Sequence, residues 1–179
     1  MTCYLIFTTP LGHMAVIYRV TPFAVIKILL PNQDKESLVK AVEALGRQES
    51  GFHDKTFMVK ESIIDYFKGK PIQPPWEWLG MGSLTKLQQS VLTSTADIPY
   101  GELRSYKDIA VAVGRPRAYR FVGTTLANNP FPILIPCHRV IQSDGSFGRF
   151  GGGSDMKRKL IELEAEYRSH LTDLSLNSL

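Results

Sequence analysis

This chain of 179 residues has little cysteine and no long apolar segment, and each shortage excludes a class of protein. Its two cysteines, Cys3 and Cys137, cannot form the disulfide framework of a small secreted domain, so a reducing cytoplasm is expected. No apolar run approaches the ~18 residues needed to cross a bilayer. The apolar stretch from Cys3 to Phe7 lacks preceding basic residues and is too short for a signal peptide. We therefore expect no membrane association.

The net charge of +4 is modest, but its distribution is uneven. Only Asp108 and Asp144 oppose the seven basic residues between positions 104 and 149, which are Arg104, Lys107, Arg115, Arg117, Arg120, Arg139 and Arg149. Arginine is suited to recognising phosphates and base edges, so this segment favours a nucleic-acid partner. A solvated basic surface with no partner is the alternative.

Residues 1–80 have the pattern of a small α/β lobe. Short apolar runs separated by turn residues predict an antiparallel sheet of three strands, namely Tyr4–Phe7, Met14–Tyr18 and Phe23–Leu30. Two helical stripes are expected to cover one face of it: Leu38, Val42 and Leu45, then Val59, Ile63 and Phe67. Prolines and glycines between Gly69 and Gly82 predict a division into residues 1–80 and 81–179.

The second part is predicted to be mainly helical, with two short helices joined by a tight turn. Ser105 and Asp108 form a candidate capping box for the first helix, and Gly114 is expected to end it. The second is expected to accommodate Pro116 in its first turn, to carry Arg117 and Arg120, and to bury Ala118, Phe121, Val122 and Thr125. This order indicates a helix-turn-helix, although an ordinary packed helix pair would give the same pattern.

Three prolines precede a cysteine–histidine pair in the segment from Asn129 to Ile141. They predict a rigid, extended, non-helical backbone that holds Cys137 at a fixed position. His138 and Arg139 follow directly, and cationic neighbours favour the reactive thiolate. A buried structural cysteine is the alternative. Neighbouring residues of an extended segment point to opposite faces, so adjacency alone does not imply a hydrogen bond between Cys137 and His138.

The last predicted helix has a buried stripe of Met156, Leu160, Leu163 and Tyr167. Glu164 is expected at the edge of this stripe, with Glu162 and Glu166 on the opposite side. A carboxylate on an apolar face needs a partner. Spacing alone leaves open whether Glu164 caps a structural network or orients a catalytic histidine.

Taken together, the motifs of the second part resemble the O6-alkylguanine-DNA alkyltransferases. In order, they are Ile98-Pro-Tyr-Gly101, Ser105-Tyr-x-x-Ile-Ala110, Gly114-x-Pro116, Arg120-x-Val-Gly123, Asn129-Pro130, Pro136-Cys-His-Arg-Val140, Gly151-Gly-Gly153 and Lys159-Leu-x-x-x-Glu164. Thr9-Pro-Leu-Gly12 in the first lobe is a weaker match. The resemblance implies an α/β N-terminal lobe followed by a mainly α, winged helix-turn-helix-like catalytic domain.

The resemblance further implies a DNA repair protein that flips an O6-alkylated guanine out of the duplex and takes the alkyl group onto its own sulfur, once per molecule. Cys137 would be the nucleophile, His138 its base through a bridging water, and Glu164 the group that orients His138. Tyr106 would donate a proton or hydrogen bond to the departing guanine. Asn129 would tie the recognition helix to the cysteine segment.

Binding roles follow from the same resemblance. Arg120 would fill the gap left by the flipped base, in a DNA-binding set completed by Arg117, Tyr106 and Thr124. The substrate pocket would be formed by Val140, Phe150, Gly151 and Pro132, with the backbone at Cys137 and Val140 reading the base edge. The expected partner is double-stranded DNA containing O6-alkylguanine, with O4-alkylthymine as a second lesion. The protein is expected to be a cytoplasmic monomer, nucleoid-associated on DNA, or nuclear in a eukaryote.

No metal or other cofactor is expected. Attack on an O-alkyl carbon needs a soft anionic nucleophile rather than a metal. Some relatives carry zinc in the first lobe, but the only candidate ligands there, Cys3, His13 and His53, lack ligand-like spacing.

The sequence departs from the family pattern beside the arginine, where Tyr119 and Phe121 replace small residues. Either these rings turn into the core or the fit to DNA is altered. Phe150 stands where tyrosine is common, which bears on alkyl preference.

Two other classes of function stay open. A DNA-binding regulator would use the helix pair but would not need Cys137, His138 and Glu164. A cysteine hydrolase would use that triad but would not need the arginine-rich helix. An alkyltransferase-like protein without catalysis is disfavoured, because the nucleophile position is cysteine.

Overall fold

The computed structural model describes residues 1–45, 48–49 and 53–176. Contacts divide the chain into two compact units. Unit 1 comprises residues 1–84 and the short segment Pro130–Leu134, and unit 2 comprises Thr85–Asn129 and the residues from Ile135 onward. The segment 130–134 thus belongs with the N-terminal unit, whereas the sequence assigned it to the C-terminal one. The predicted domain limits remain a prediction.

Unit 1 is built on a four-stranded sheet with the strand order β3-β2-β1-β4. The strands are β1 (Thr2–Thr9), β2 (Gly12–Arg19), β3 (Ala24–Asn32) and β4 (Gln48–Glu49). β2 is antiparallel to β1 and β3, and β4 pairs parallel to β1. The three predicted strands are therefore present, each longer than its apolar run.

Two helices pack on this sheet, α1 (Lys35–Glu43) and α2 (Asp54–Phe67). Leu38 and Val42 of α1 are buried against Tyr4, Ala15 and Ile17 of the sheet. The sheet is also buried more widely than the two helical stripes alone predict. All five residues of Met14–Tyr18 are buried, and because successive residues of a strand alternate in direction, both faces of β2 are covered. Leu45 lies beyond α1 and is exposed.

Unit 2 is mainly helical, as predicted. Its helices are α3 (Lys86–Ala96), α4 (Tyr106–Ala112), α5 (Tyr119–Ala127) and α6 (Gly153–Leu176). A short parallel pair, β5 (Arg104–Ser105) and β6 (Val140–Ile141), joins the start of α4 to the cysteine segment. No helix within the described ranges is both long and apolar enough to cross a membrane.

The turn between α4 and α5 explains why both helices are short. Ser105 and Asp108 form the predicted capping box at the start of α4. Gly114 follows the end of α4 with φ +69°, and its N–H and that of Arg115 donate to carbonyls of the last turn of α4. This termination favours glycine because side chains disfavour the left-handed conformation. Pro116 and Arg117 lie before α5 rather than in it, which corrects the expected start of the second helix.

Candidate active site

Cys137 lies at the start of a single 3-10 turn, Cys137–Arg139, that begins directly after Pro136. The expectation of an extended, non-helical segment is wrong here, because proline is compatible with the position just before a helical turn. The side-chain amide of Asn129 donates to Cys137 Sγ at 3.2 Å and to the carbonyl oxygen of Ile135 at 2.9 Å. Asn129 thus holds both the sulfur and the backbone that carries it.

The thiol of Cys137 is deeply buried, with 4% of the residue exposed. Burial raises its pKa, while the Asn129 hydrogen bond and the positive charge of Lys157 lower it in part. Positive charge nearby does favour the thiolate, as expected, but desolvation of the sulfur raises the pKa by more than the positive charge lowers it. The expectation that the thiolate is the favoured form is therefore wrong. The resting group is a thiol that needs a base.

His138 is paired with Glu164. Its Nε2 lies 2.6 Å from Glu164 Oε1, and both side chains are buried. Burial lowers the pKa of His138, so its ring is neutral near pH 7. Since the carboxylate can only accept, the neutral ring donates from Nε2, and its lone pair is on Nδ1. The pair therefore fixes the tautomer that a general base requires.

Arg139 binds the same carboxylate. Its Nε donates to Glu164 Oε2 at 2.9 Å, and its Nη1 donates to the carbonyl oxygen of Ile98 at 2.5 Å. Arg139 is buried, so its inclusion in an exposed basic, DNA-facing segment is wrong. A buried carboxylate needs a compensating charge, and Arg139 supplies it.

Glu164 is the centre of this network. Besides His138 and Arg139, the backbone N–H of Gly101 donates to its Oε2 at 2.8 Å. Burial alone would raise the pKa of Glu164, but hydrogen bonds and charges from His138 and Arg139 outweigh it and lower the pKa to about 2. Glu164 also lies on the buried face of α6 rather than at its edge, whereas Glu162 and Glu166 are exposed as predicted.

Lys157 is a buried residue that sequence reasoning missed. Its Nζ donates to the carbonyl oxygens of Val140 at 2.5 Å and Phe147 at 2.6 Å, and lies 3.5 Å from the hydroxyl of Tyr106. Burial lowers its pKa to about 8. Lys157, Leu160 and Glu164 share one face of α6 at intervals of three and four residues, which was the available signal. Lysine is rarely buried in proteins, so the sequence pattern alone assigned Lys157 to the surface.

Tyr106, at the start of α4, adjoins the cysteine. Burial, and then the nearby Cys137, raise the pKa of its hydroxyl. The hydroxyl donates to the carbonyl oxygen of Arg149 at 3.4 Å. A Cβ on Gly148, which has φ +61°, would lie 2.7 Å from the Tyr106 hydroxyl, so only glycine allows this approach.

The exposed face of α5 borders a cavity of about 420 Å³. Its lining residues include Tyr106, Arg149 and, from α5 itself, Tyr119, Arg120, Gly123 and Thr124. Val122 and Thr125 are buried as predicted, but Phe121 is exposed. The rings of Tyr119 and Phe121 do not turn into the core, so the first alternative raised by the sequence is wrong, and the second, an altered fit to DNA, stays a prediction.

Three of the predicted pocket residues, Val140, Phe150 and Gly151, belong to unit 2, and Pro132 belongs to unit 1. Val140 is fully buried, and Phe150 is half-buried with Lys157 Nζ 5.9 Å from its ring centre. Gly151 is exposed, and Pro132 is buried in unit 1. None of the four lines the cavity beside α5.

Within the ranges that the structure describes, no group of three or more His, Cys, Asp or Glu side chains is arranged to hold a metal ion. The expected absence of a metal remains a prediction.

Comparison with known proteins agrees with this geometry. Residues 86–166 match the family model described as 6-O-methylguanine DNA methyltransferase, DNA binding domain. The methylated-DNA--protein-cysteine methyltransferase of Methanosarcina barkeri is 52% identical over 80 residues, which are 45% of this chain and 51% of that protein. The matched segment thus spans about half the length of the first curated relatives.

Solved structures extend the likeness to nearly the whole chain. A variant of the Mycobacterium tuberculosis OGT is 30% identical with a TM-score of 0.69, covering 92% of this chain and 93% of that one. A structure of M. tuberculosis OGT in complex with DNA is 28% identical with a TM-score of 0.68, covering 92% and 93%. Fold and site therefore define a two-unit protein with a buried cysteine–histidine–glutamate arrangement beside a helix-turn-helix. The chain belongs to the O6-alkylguanine-DNA alkyltransferase family.

Proposed function

We propose that this protein binds duplex DNA, flips an O6-alkylated guanine out of the helix and transfers the alkyl group irreversibly to Cys137 Sγ. The observation that carries the proposal is the buried chain of groups in which Asn129 holds Cys137 and Glu164 fixes the neighbouring His138. Family membership supports the same chemistry.

The reaction is a displacement at the alkyl carbon. Sγ of Cys137 forms a bond to that carbon as the bond from carbon to guanine O6 breaks, and the electron pair leaves with the guanine. The thiol proton passes to the base and finally to the guanine, so the products are a thioether and an unmodified guanine. Water does not cleave a thioether, so each molecule reacts once.

Proton removal is the step that the buried thiol requires, because burial raises the pKa of Cys137. We assign His138 as the base, acting through a bridging water from Nδ1, since Nε2 is directed to Glu164. Glu164 stabilises the imidazolium formed on the way. Lys157 adds positive charge that stabilises the thiolate.

The leaving guanine becomes a better leaving group if its ring accepts a hydrogen bond. Tyr106 is the proposed donor. Its raised pKa suits this role, because the phenol stays protonated and keeps a hydrogen to donate. The backbone at Cys137 and Val140 is the proposed reader of the base edge. The carbonyl of Val140 already accepts from Lys157, but a carbonyl oxygen has a second lone pair. Phe150 and Gly151 remain candidates for contact with the alkyl group.

The proposed DNA surface is the exposed face of α5. Arg120 would enter the duplex and fill the gap, with Thr124 and the preceding Arg117 positioned for phosphate contacts. The M. tuberculosis structure in complex with DNA supports a DNA partner. O6-alkylguanine is the primary proposed lesion and O4-alkylthymine a second. We propose that the protein acts as a cytoplasmic monomer, associated with the nucleoid on DNA or nuclear in a eukaryote.

The test is incubation with a duplex that carries one O6-methylguanine, followed by intact mass and peptide mapping. The expected result is one added methyl group per molecule, on Cys137. Cys137→Ser should take up none, and the matched Cys3→Ser variant should react as the parent does. No mass change would favour a DNA-binding regulator, and thiol chemistry that does not depend on methylated DNA would favour a cysteine hydrolase.

A further inference from the structure

An exposed aromatic ring lies on each side of Arg120. Tyr119 is 39% exposed and Phe121 is 37% exposed. Successive residues of a helix are rotated by about 100°, so the two rings lie at opposite edges of the face centred on Arg120. Exposed aromatics with an apolar body are typical of binding surfaces.

The two rings are not equivalent, because only Tyr119 lines the cavity of about 420 Å³. Gly123 lies one helical turn after Tyr119, on the same face. The ring of Tyr106 packs over Gly123, with ring carbons 3.8 Å from where a Cβ would lie. Tyr119 therefore lines the same cavity as Tyr106, Arg120 and Gly123, and Phe121 does not.

Tyr119 also contacts Arg120 directly. The guanidinium carbon of Arg120 lies 5.9 Å from the centre of the Tyr119 ring, within the range of a cation–π contact. An arginine that leaves this ring for the interior of a duplex would leave the ring face available to a base.

We propose that Tyr119 is a further DNA-contacting residue, whose ring stacks on the partner base left without its pair when the damaged nucleotide leaves the duplex. This inference rests on the proposed function of the same surface. Flipping exposes the π face of the remaining base, and every base can stack on an aromatic ring regardless of sequence. Arg120 would fill the gap while Tyr119 covers the base beside it.

Single-turnover rates test the inference on two substrates, duplex O6-methylguanine and free O6-benzylguanine. Tyr119→Ala should slow duplex repair about 5- to 150-fold, which corresponds to the ~1–3 kcal/mol that stacking of one base contributes. Its rate on the free base should stay within about twofold of the parent. Tyr119→Phe and Tyr119→Trp should restore duplex repair, because both keep an aromatic face.

Two control variants separate stacking from loss of any exposed ring. Phe57→Ala in unit 1 removes a ring of similar exposure, 41%, that also lies beneath a cation, Lys60 Nζ at 4.6 Å. It should leave both rates unchanged. Phe121→Ala should slow duplex repair less than Tyr119→Ala, because Phe121 does not line the cavity.

A spectroscopic signature distinguishes stacking from a role in holding Arg120. With 2-aminopurine opposite the lesion and Cys137→Ser to prevent reaction, stacking on Tyr119 should quench the fluorescence of the complex. Adding Tyr119→Ala should brighten it, and Tyr119→Phe should not. Equal brightness in all three complexes would overturn the inference, as would equal losses by Tyr119→Ala on both substrates. If the parent protein takes up no methyl group from duplex O6-methylguanine, the proposed function itself fails.

Discussion

The guanidinium of Arg139 binds the same buried carboxylate, Glu164, that accepts the ring N–H of His138. Arg139 Nε and Nη2 reach Glu164 Oε1 at 3.2 and 3.1 Å, and Nε reaches Oε2 at 2.9 Å. One carboxylate therefore orients His138, the candidate base, and neutralises the buried Arg139. The two alternatives left open by the sequence for Glu164, a structural network or an oriented histidine, are combined in one residue.

Glu164→Gln should destabilise the protein, because it leaves the charge of Arg139 buried without compensation, at roughly 3–5 kcal/mol for a broken buried pair. Urea unfolding measures this loss, with the exposed Glu162→Gln as the control, expected to be close to the parent. Equal stability of the two variants would contradict the role of the carboxylate.

The stability that Glu164 provides should be lost in acid. Its folded pKa is about 2, below the ordinary value of 4.5, so its contribution is complete above about pH 4.5 and disappears as the pH falls through about 2. The difference in unfolding free energy between the parent and Glu164→Gln should shrink over that interval. A difference independent of pH would show that the carboxylate is not ionised in the folded protein.

The start and end of α4 could be predicted from local signals, because capping residues and glycine act within a few positions. Ser105, Asp108 and Gly114 illustrate this. The contacts of Arg139 and Lys157 could not be predicted, because they depend on partners far along the chain. Arg139 reaches Glu164 and Ile98, and Lys157 reaches Val140 and Phe147. From the sequence, Arg139 and Lys157 are both assigned to the surface because they are charged, and only the tertiary packing shows that they are buried.

Lys157→Met should shift the alkylation of Cys137 to higher pH. The positive charge of Lys157 lowers the pKa of the thiol, so removing it raises that pKa and reduces the thiolate fraction near pH 7. Rates with O6-benzylguanine across pH 6–10 measure the shift, since this substrate needs no DNA binding. Lys159→Met, which removes an exposed lysine of the same helix, is the control. A uniform decrease without a shift would mean that Lys157 acts only by positioning the backbone.

Gly148→Ala should slow alkylation by displacing Tyr106. The added Cβ would lie 2.7 Å from the tyrosine hydroxyl, and the backbone would also be strained by φ +61°. Gly145→Ala is a matched control, because its φ is +85° and nothing lies within 4 Å of the added carbon. Both variants should lose about 1 kcal/mol from the unfavourable φ, but only Gly148→Ala should lose rate on the free base. Equal rates would exclude a role for the contact.

Arg120→Ala should reduce repair of duplex DNA more than reaction with free O6-benzylguanine. Arg120 is proposed to stabilise the flipped state. Flipping a base out of a duplex costs a few kcal/mol for unstacking, and reaction with a free base has no such cost. Single-turnover rates on the two substrates give the comparison.

The parent protein should also bind duplex DNA less tightly as salt increases and with little sequence preference, since phosphate contacts dominate. A strongly preferred sequence would support the regulator instead.

Alkylated protein should be less stable than the free protein. Sγ of Cys137 is buried and lies 3.2 Å from Asn129 Nδ2, so even a methyl group must displace its neighbours. Overpacking of this kind costs roughly 1–3 kcal/mol of stability. For a domain of this size, each kcal/mol lowers the melting temperature by about 2–4 °C. Thermal melts before and after stoichiometric reaction, at matched pH and salt, measure the change.

The same displacement would reach the DNA-binding helix. Asn129 lies two residues after the end of α5, and its backbone N–H donates to the carbonyl oxygen of Leu126 in that helix at 3.2 Å. Movement of Asn129 would loosen the end of α5 and promote release from repaired DNA. Asn129→Ala should therefore lower the melting temperature of the free protein and reduce the further decrease on methylation. An unchanged or higher midpoint after methylation of the parent would mean that the site accommodates the group without strain.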